Sequence, residues 1–235
     1  MIKLENTETT GWEAAIRGMR NPMNSWEKSD SEFAGRYSYG LCENVSTSIG
    51  PNDLDLMKRL RNAGTDHRKF MRMITVYVDI TAPLYWWKEF DTYKIGTVAN
   101  SCSTMHKIAE KEFTVNDFSH EHIEELEGDE YNMSYGLLLR TVDSLNYYRK
   151  RYLETRIKPM KEGVKRSVLM KKYWWQMIQL LPSSYNQRRT VMLNYEVLAN
   201  MYKSRKGHRL DEWKTLLDWI ETLPYSELIT GETEQ

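Results

Sequence analysis

An alternating run of residues, Met73 to Thr81, restricts the fold of this chain more than any other feature. Every second residue in it is β-branched and apolar, namely Ile74, Val76, Val78 and Ile80. A period of two puts those side chains on one face of a β-strand. The sequence therefore predicts a strand whose apolar face packs against helices.

Helical spacing and helix start or stop signals account for most of the remaining chain. Pro83 suits the first turn of a helix that continues over Leu84–Thr92. Further helices are predicted at Thr10–Met19, Asn52–Asn62, Ser134–Arg156, Lys161–Leu181, Tyr195–Ser204 and Leu210–Leu223. A short apolar piece at Thr190–Leu193 reads as a second strand. These elements predict one α+β domain spanning residues 1–235, mostly helix around a small sheet.

Composition excludes several classes of protein. The 33 basic and 33 acidic residues give zero net charge, so there is no overall attraction to nucleic acid or membrane. No apolar run approaches the roughly 18 residues of a membrane-spanning helix, and the N-terminus does not resemble a secretory signal. Cys42 and Cys102 make neither a disulfide framework nor a metal-ligand pattern. We therefore expect a cytoplasmic protein with no metal site.

A polar segment, Lys94 to Thr104, follows the predicted Pro83 helix. It combines one cation, a glycine and several hydrogen-bonding side chains, namely Lys94, Gly96, Thr97, Asn100, Ser101, Ser103 and Thr104. Phosphate groups bind where donors gather near positive charge and the backbone can approach closely. The segment therefore suits a phosphate-bearing ligand. The alternative is a surface loop made of turn residues.

Two further basic clusters each allow two interpretations. Residues 149–172 are rich in Lys and Arg and have Tyr and Trp beside them. Such a segment can bind nucleic acid or steer small anions, or it can form helices with solvated basic faces. The second cluster consists of Arg205, Lys206, His208 and Arg209. It either complements a helix dipole or forms an anion site together with the Lys94 segment.

Two segments together resemble the flavin-dependent thymidylate synthase family. In the first, the strand leads into Ala82-Pro83 and a helix, and Thr92-Tyr93-Lys94 stands where the family has Arg-His-Arg. Asn100 to Thr104 then falls on the family's substrate-binding loop. In the second, Leu181-Pro182 precedes a strand that is followed by a matching pattern of Asn194, Leu198, Asn200 and Arg205. The resemblance implies a small, mainly antiparallel sheet packed with long helices.

The resemblance also implies an activity and a set of site residues. Family members methylate dUMP to dTMP with FAD, NADPH and methylenetetrahydrofolate, as homotetramers that share sites between subunits. Cofactor contacts would come from Tyr93, Lys94, Thr97, Asn100, Asn194 and Asn200. Pyrimidine-nucleotide contacts would come from Glu89, Ser101, Ser103 and Arg205, with Arg205 as the catalytic residue that orients the uracil base.

The chain has fewer positive charges than the family at the matching positions. Only Lys94 of the signature triplet is positive, and Glu196, Ile178 and Thr104 stand where the family has arginines. Arginines elsewhere could compensate, namely Arg17, Arg20, Arg68, Arg188 and Arg189. Two hypotheses follow: an active flavin-dependent methyltransferase of nucleotide biosynthesis, or a relative that binds nucleotide or flavin, or serves a structural role, without turnover. Nucleic-acid binding through residues 149–172 is a third, less favoured reading.

Overall fold

The computed structural model of the protein describes residues 2–34, 46–123, 133–159 and 162–231. The strands in these ranges are β1 (Lys3–Thr10), β2 (Glu32–Ala34), β3 (Ser46–Ser48), β4 (Thr75–Pro83), β5 (Val98–Ser101) and β6 (Asn186–Asn194). The helices are α1 (Trp12–Arg20), α2 (Pro51–Asn62), α3 (Leu84–Phe90), α4 (Thr104–Lys107), α5 (Ser134–Ile157), α6 (Arg166–Leu180), α7 (Tyr195–Arg205), α8 (Asp211–Glu221) and α9 (Glu227–Thr230). Short 3-10 helices lie at Asn21–Met23, Trp26–Lys28, Arg68–Arg72 and Val115–Asp117. The α+β class predicted from the sequence is confirmed.

The main sheet has the strand order β1-β4-β6-β5, and β2 pairs with β3 in an antiparallel ribbon. Strand β4 carries the predicted alternation, since Val76, Val78 and Ile80 are all buried. The two edge strands were not predicted. All four residues of β5 are exposed, and β1 is mostly exposed. The predicted Lys94–Thr104 loop is therefore wrong in part, because it contains β5 and reaches the start of α4.

The chain divides into two compact units whose sequence ranges interleave. The α5 unit comprises residues 1–3, 80–92 and 100–189, and the α7 unit comprises residues 4–79, 93–99 and 190–235. Each unit has buried apolar side chains of its own. The single domain predicted from the sequence stays a prediction.

In the α5 unit, helices α5 and α6 pack against each other around a shared apolar cluster. Leu138, Val142 and Leu145 of α5 belong to this cluster, and Met177 of α6 is completely buried in it. Phe118 joins them from the segment before α5. The long amphipathic spacing of α5 thus does what the sequence predicted, which is to bury one stripe of the helix.

In the α7 unit, aromatic and charged groups are both buried. Trp12 of α1 meets the ring of Tyr195 edge to face, with 5.1 Å between centroids. Arg20 and Asp53 form a buried ion pair, with 2.6 Å between Nε and Oδ1. The remaining Arg20 donors reach the carbonyls of Ser25 and Lys28 at 3.2 and 3.0 Å. Arg20 therefore serves the packing of α1 on α2 and is not a replacement for a site arginine.

No helix within the described ranges is both long enough and apolar enough to cross a membrane.

Candidate functional site

Most of the predicted cofactor residues fall in the α7 unit. These are Tyr93, Lys94, Thr97, Asn194 and Asn200, together with the predicted catalytic Arg205. They come from the segment 93–97, which follows α3 in the chain, and from the start, the middle and the C-terminal end of α7. Their geometry can be examined within that unit.

Arg205 is held by two aromatic residues, Tyr93 and Trp213. It is the last residue of α7, and its Nε donates a hydrogen bond of 2.9 Å to the Tyr93 hydroxyl. Its guanidinium carbon lies 4.4 Å from the centroid of the buried Trp213 ring, a cation–π distance. The Tyr93 ring is 5.4 Å from the same carbon. The guanidinium is therefore fixed in position, as a group that orients a planar ligand must be.

The backbone at Gly96 lies directly against Asn194 at the start of α7. Gly96 has φ +78°, and a Cβ added there would lie 2.2 Å from Nδ2 of Asn194. Asn194 itself caps the helix, because its Oδ1 accepts a 2.9 Å hydrogen bond from the Val197 amide. The Thr97 hydroxyl donates to the carbonyl of Tyr93. The predicted signature segment thus forms a tight turn whose position depends on a glycine.

Replacing Gly96 with alanine is expected to destabilise the protein by roughly 1–3 kcal/mol, since it adds both left-handed strain and overlap with Asn194. Gly207→Ala is the matched control. Gly207 has nearly the same φ, +76°, but nothing lies within 4 Å of its Cβ position. Urea denaturation should therefore show a larger loss for Gly96→Ala than for Gly207→Ala. Equal losses would mean that contact with Asn194 is not what requires a glycine.

A cluster of charges surrounds the first two turns of α7. Glu196 accepts hydrogen bonds from Arg72 and from Arg68, whose Nε lies 3.3 Å from Oε1. Arg68 Nη2 also donates to Oδ1 of Asn200 at 3.4 Å. Burial on its own would raise the pKa of Glu196, but the hydrogen bonds and charges of Arg72 and Arg68 outweigh it and lower the pKa below its usual range. Glu196 is therefore a carboxylate at neutral pH.

Only some of the arginines that could compensate lie beside predicted site residues. Arg68 lies beside the predicted site residue Asn200, whereas Arg17 lies exposed on α1, 3.8 Å from Glu13. Arg72 was missed in the sequence reasoning, although it lies in the same short 3-10 helix as Arg68. No motif marks Arg72, because its partner Glu196 is distant in sequence. Lys94, the one cation kept from the signature triplet, is exposed.

The predicted residues Glu89, Asn100, Ser101 and Ser103 belong to the α5 unit. Asn100 and Ser101 are exposed on β5. Ser103 caps α4 by accepting a 3.1 Å hydrogen bond from the His106 amide, and Glu89 is half-buried on α3. In the same unit, Arg189 contacts Asp91 at 2.7 Å and lies 4.0 Å above the Trp87 ring, so its charge is already paired.

The basic segment 149–172 is also partly paired. Arg149 donates to the Ala109 carbonyl at 3.0 Å, and Lys158 lies 2.9 Å from Glu154. Arg151 lies 5.7 Å from the centroid of the Tyr173 ring. These contacts are those of two helices with solvated basic faces, the alternative given above. Within the described ranges, no group of three or more His, Cys, Asp or Glu could hold a metal ion.

The donor set of the α7 unit suits a flavin nucleotide and a pyrimidine. It offers guanidinium groups that can hydrogen-bond phosphate or carbonyl oxygens, and amide side chains that can pair with ring nitrogens and carbonyls. The half-buried Tyr93 ring beside Arg205 supplies flat apolar surface. The glycine turn at Gly96 permits close backbone approach. The residues present therefore fit such a ligand chemically.

No protein-family model matches the sequence, and no curated protein matches it. Two solved structures of similar fold are both of the flavin-dependent thymidylate synthase ThyX from Helicobacter pylori, with FAD and dUMP. One aligns with a TM-score of 0.58 at 15% identity over 99% of this chain and 98% of that one. The other aligns with a TM-score of 0.60 at 15% identity over 98% of each chain. At this identity the likeness establishes the fold, which is that of these two ThyX structures over nearly the whole chain.

Proposed function

We propose that this protein binds FAD and dUMP and acts as a flavin-dependent thymidylate synthase. The observation that carries the proposal is the immobilised Arg205 guanidinium, fixed by Tyr93 and Trp213 at the position that the family resemblance assigns to uracil recognition. The solved structures of similar fold contain FAD and dUMP, which supports the choice of ligands.

Each side chain has a role in this proposal that its chemistry allows. Arg205 donates to the uracil carbonyl oxygens, and the rings beside it keep water from one of its faces. Asn200, Thr97 and the exposed Lys94 supply contacts to the cofactor. When bound, the flavin supplies the redox chemistry that links NADPH and methylenetetrahydrofolate to methylation of dUMP.

The visible absorption spectrum of the purified protein, recorded before and after addition of FAD and gel filtration, is the first test. Retained flavin absorbance is expected. Oxidation of NADPH that depends on both dUMP and methylenetetrahydrofolate, together with formation of dTMP, is expected next. A protein that retains no flavin and shows no such oxidation would exclude the proposal. The homotetrameric state and cytoplasmic location that the family resemblance implies belong to the same proposal, and light scattering tests the first.

A second candidate is a relative that binds the same ligands without turnover. The observation in its favour is the loss of charge in the signature segment, where Thr92 and Tyr93 are neutral and Lys94 is exposed. A lysine cannot reproduce the two-pronged hydrogen bonding of an arginine. This candidate requires binding of FAD or dUMP, measured by calorimetry, together with the absence of dTMP formation. Measured turnover would reject it.

A further inference from the structure

More positive charge surrounds Glu196 than is needed to neutralise its carboxylate. Its side chain is 11% exposed, and a carboxylate that buried can be satisfied by one arginine with two parallel hydrogen bonds. Arg72 already supplies two, since its Nη2 donates to Oε1 at 3.2 Å and its Nε donates to Oε2. Arg68 then adds a second guanidinium at Oε1. The cluster therefore keeps a positive charge after the carboxylate is neutralised.

The surroundings add to this excess. Arg61 lies close enough to Arg68 for the charge of Arg68 to lower the pKa of Arg61, after the larger effect of burial. The charge of Asp66 acts on Arg72 and offsets part of the positive charge. The guanidinium of Arg61, which donates to the carbonyls of Leu228 and Ile229, thus adds positive charge near the cluster without pairing with Glu196. Bringing like charges together costs free energy, and a bound anion would offset that cost.

The geometry directs part of this charge outward. The Arg72 side chain is 53% exposed although two of its nitrogens are bound, so its plane is fixed while one edge faces solvent. The Arg68 side chain is 20% exposed and joins the cluster to Asn200. The Nη1 groups of Arg68 and Arg72 take no part in these contacts. A rigid, half-exposed guanidinium edge beside an amide side chain is a suitable receptor for a phosphate oxygen.

We propose that Arg72 and Arg68, oriented by Glu196 and adjoining Asn200, form a phosphate-binding subsite of this protein. This subsite rests on the proposed function in one respect, namely that the phosphate belongs to a nucleotide ligand, either FAD or dUMP. Glu196 is a positioning residue in this account, because it holds the two guanidiniums and does not touch the ligand. The same chemistry could receive the diphosphate of FAD or the monophosphate of dUMP, so both are measured.

The test compares variants whose effects have opposite signs. Arg72→Gln removes a donor and a charge. The affinity for inorganic pyrophosphate, and for whichever of FAD and dUMP places its phosphate in the subsite, should therefore fall about tenfold. Glu196→Gln removes the carboxylate that offsets the two arginines, and the affinity for pyrophosphate should stay the same or rise. Arg59→Gln is the control, since Arg59 is 68% exposed in the same unit and pairs with Asp55. It should leave pyrophosphate binding unchanged.

Isothermal titration with pyrophosphate, FAD and dUMP distinguishes the outcomes. A fall confined to FAD in Arg72→Gln assigns the subsite to the diphosphate, and a fall confined to dUMP assigns it to the monophosphate. Arg72→Lys, which keeps the charge, should recover part of the lost affinity. Unchanged binding of all three ligands by Arg72→Gln would overturn the inference. So would a wild-type protein that binds none of them, or an equal loss of pyrophosphate affinity in folded Glu196→Gln and Arg72→Gln.

These results separate the inference from the proposed function. A wild-type protein that binds pyrophosphate in an Arg72-dependent way but takes up neither FAD nor dUMP would retain the subsite and reject the flavoenzyme. If the wild-type protein binds FAD and dUMP and the Arg72→Gln variant binds both equally well, the flavoenzyme is retained and the subsite is rejected.

Discussion

Replacement of Arg205 with glutamine is expected to weaken binding of dUMP by roughly 10- to 150-fold. Charge-assisted hydrogen bonds contribute about 1.5–3 kcal/mol each, and every 1.4 kcal/mol corresponds to a factor of ten. The Arg205 guanidinium is already held by Tyr93 and Trp213, so its loss removes a donor that needs no further ordering. Equilibrium binding of dUMP to the FAD-loaded protein measures the effect.

Arg209→Gln is the matched control for this experiment. Arg209 is exposed on the connection between α7 and α8, four residues beyond Arg205, and carries the same charge. Its replacement should change dUMP affinity only through long-range electrostatics, which salt screens. Tyr93→Phe should lie between the two variants, because it removes the hydroxyl that fixes Arg205 but leaves the guanidinium in place. If Arg205→Gln binds dUMP as well as Arg209→Gln does, Arg205 is not a nucleotide ligand.

Replacement of Asp53 with asparagine is expected to lower the free energy of unfolding by about 3–5 kcal/mol. Asp53 is fully buried and Arg20 is 4% exposed, so the variant leaves a guanidinium buried without its counter-charge. Asp53 also accepts hydrogen bonds from the hydroxyls of Ser29 and Ser31 at 2.7 and 2.6 Å. Urea denaturation at neutral pH measures the loss. Asp55→Asn is the control, because Asp55 forms an exposed pair with Arg59 that should contribute less than about 1 kcal/mol.

The same variant has a distinct dependence on pH. Burial would raise the pKa of Asp53, but hydrogen bonds from Ser31, Ser29 and Arg20, with the charge of Arg20, lower it below its ordinary value of 3.8. A lowered pKa in the folded state means that the carboxylate stabilises the fold fully above pH 3.8, and that this contribution disappears as the pH falls through the folded value. The difference in stability between wild type and Asp53→Asn should therefore shrink in acid. A difference that stays constant down to that range would show that the charge of Asp53 is not what stabilises the pair.

Burial on one face explains which elements could be predicted. Strand β4 and helix α5 repeat apolar residues with periods of two and about 3.6, so their assignments follow from the sequence. Strands β1 and β5 lie at the edges of the main sheet and are mostly or wholly exposed. An exposed edge strand needs no apolar alternation, so its sequence resembles a polar loop. For this reason the sequence of Lys94–Thr104 predicts a loop, although the segment contains β5.

Only part of the candidate site and its surroundings could be predicted from the sequence. Tyr93, Asn194, Asn200 and Arg205 are predicted site residues because the resemblance supplies their register. Within the α7 unit, the structure joins Tyr93 to Arg205 and Gly96 to Asn194. Asp53 lies in the first turn of α2, where an acidic residue would complement the helix dipole. The structure instead gives it a buried partner 33 residues away. Local pattern cannot predict such a pairing, because either reading needs an acidic residue in the first turn.

The sequence by itself therefore determined the α+β class and the helices and central strands with periodic apolar residues. These depend on spacings of a few residues, which the chain carries locally. Only the tertiary structure decided that Glu196 draws in Arg68 and Arg72, residues separated from it by 128 and 124 positions. Charge pairs over such distances form because folding buries the carboxylate and requires a cation beside it, and no local pattern specifies which cation that is.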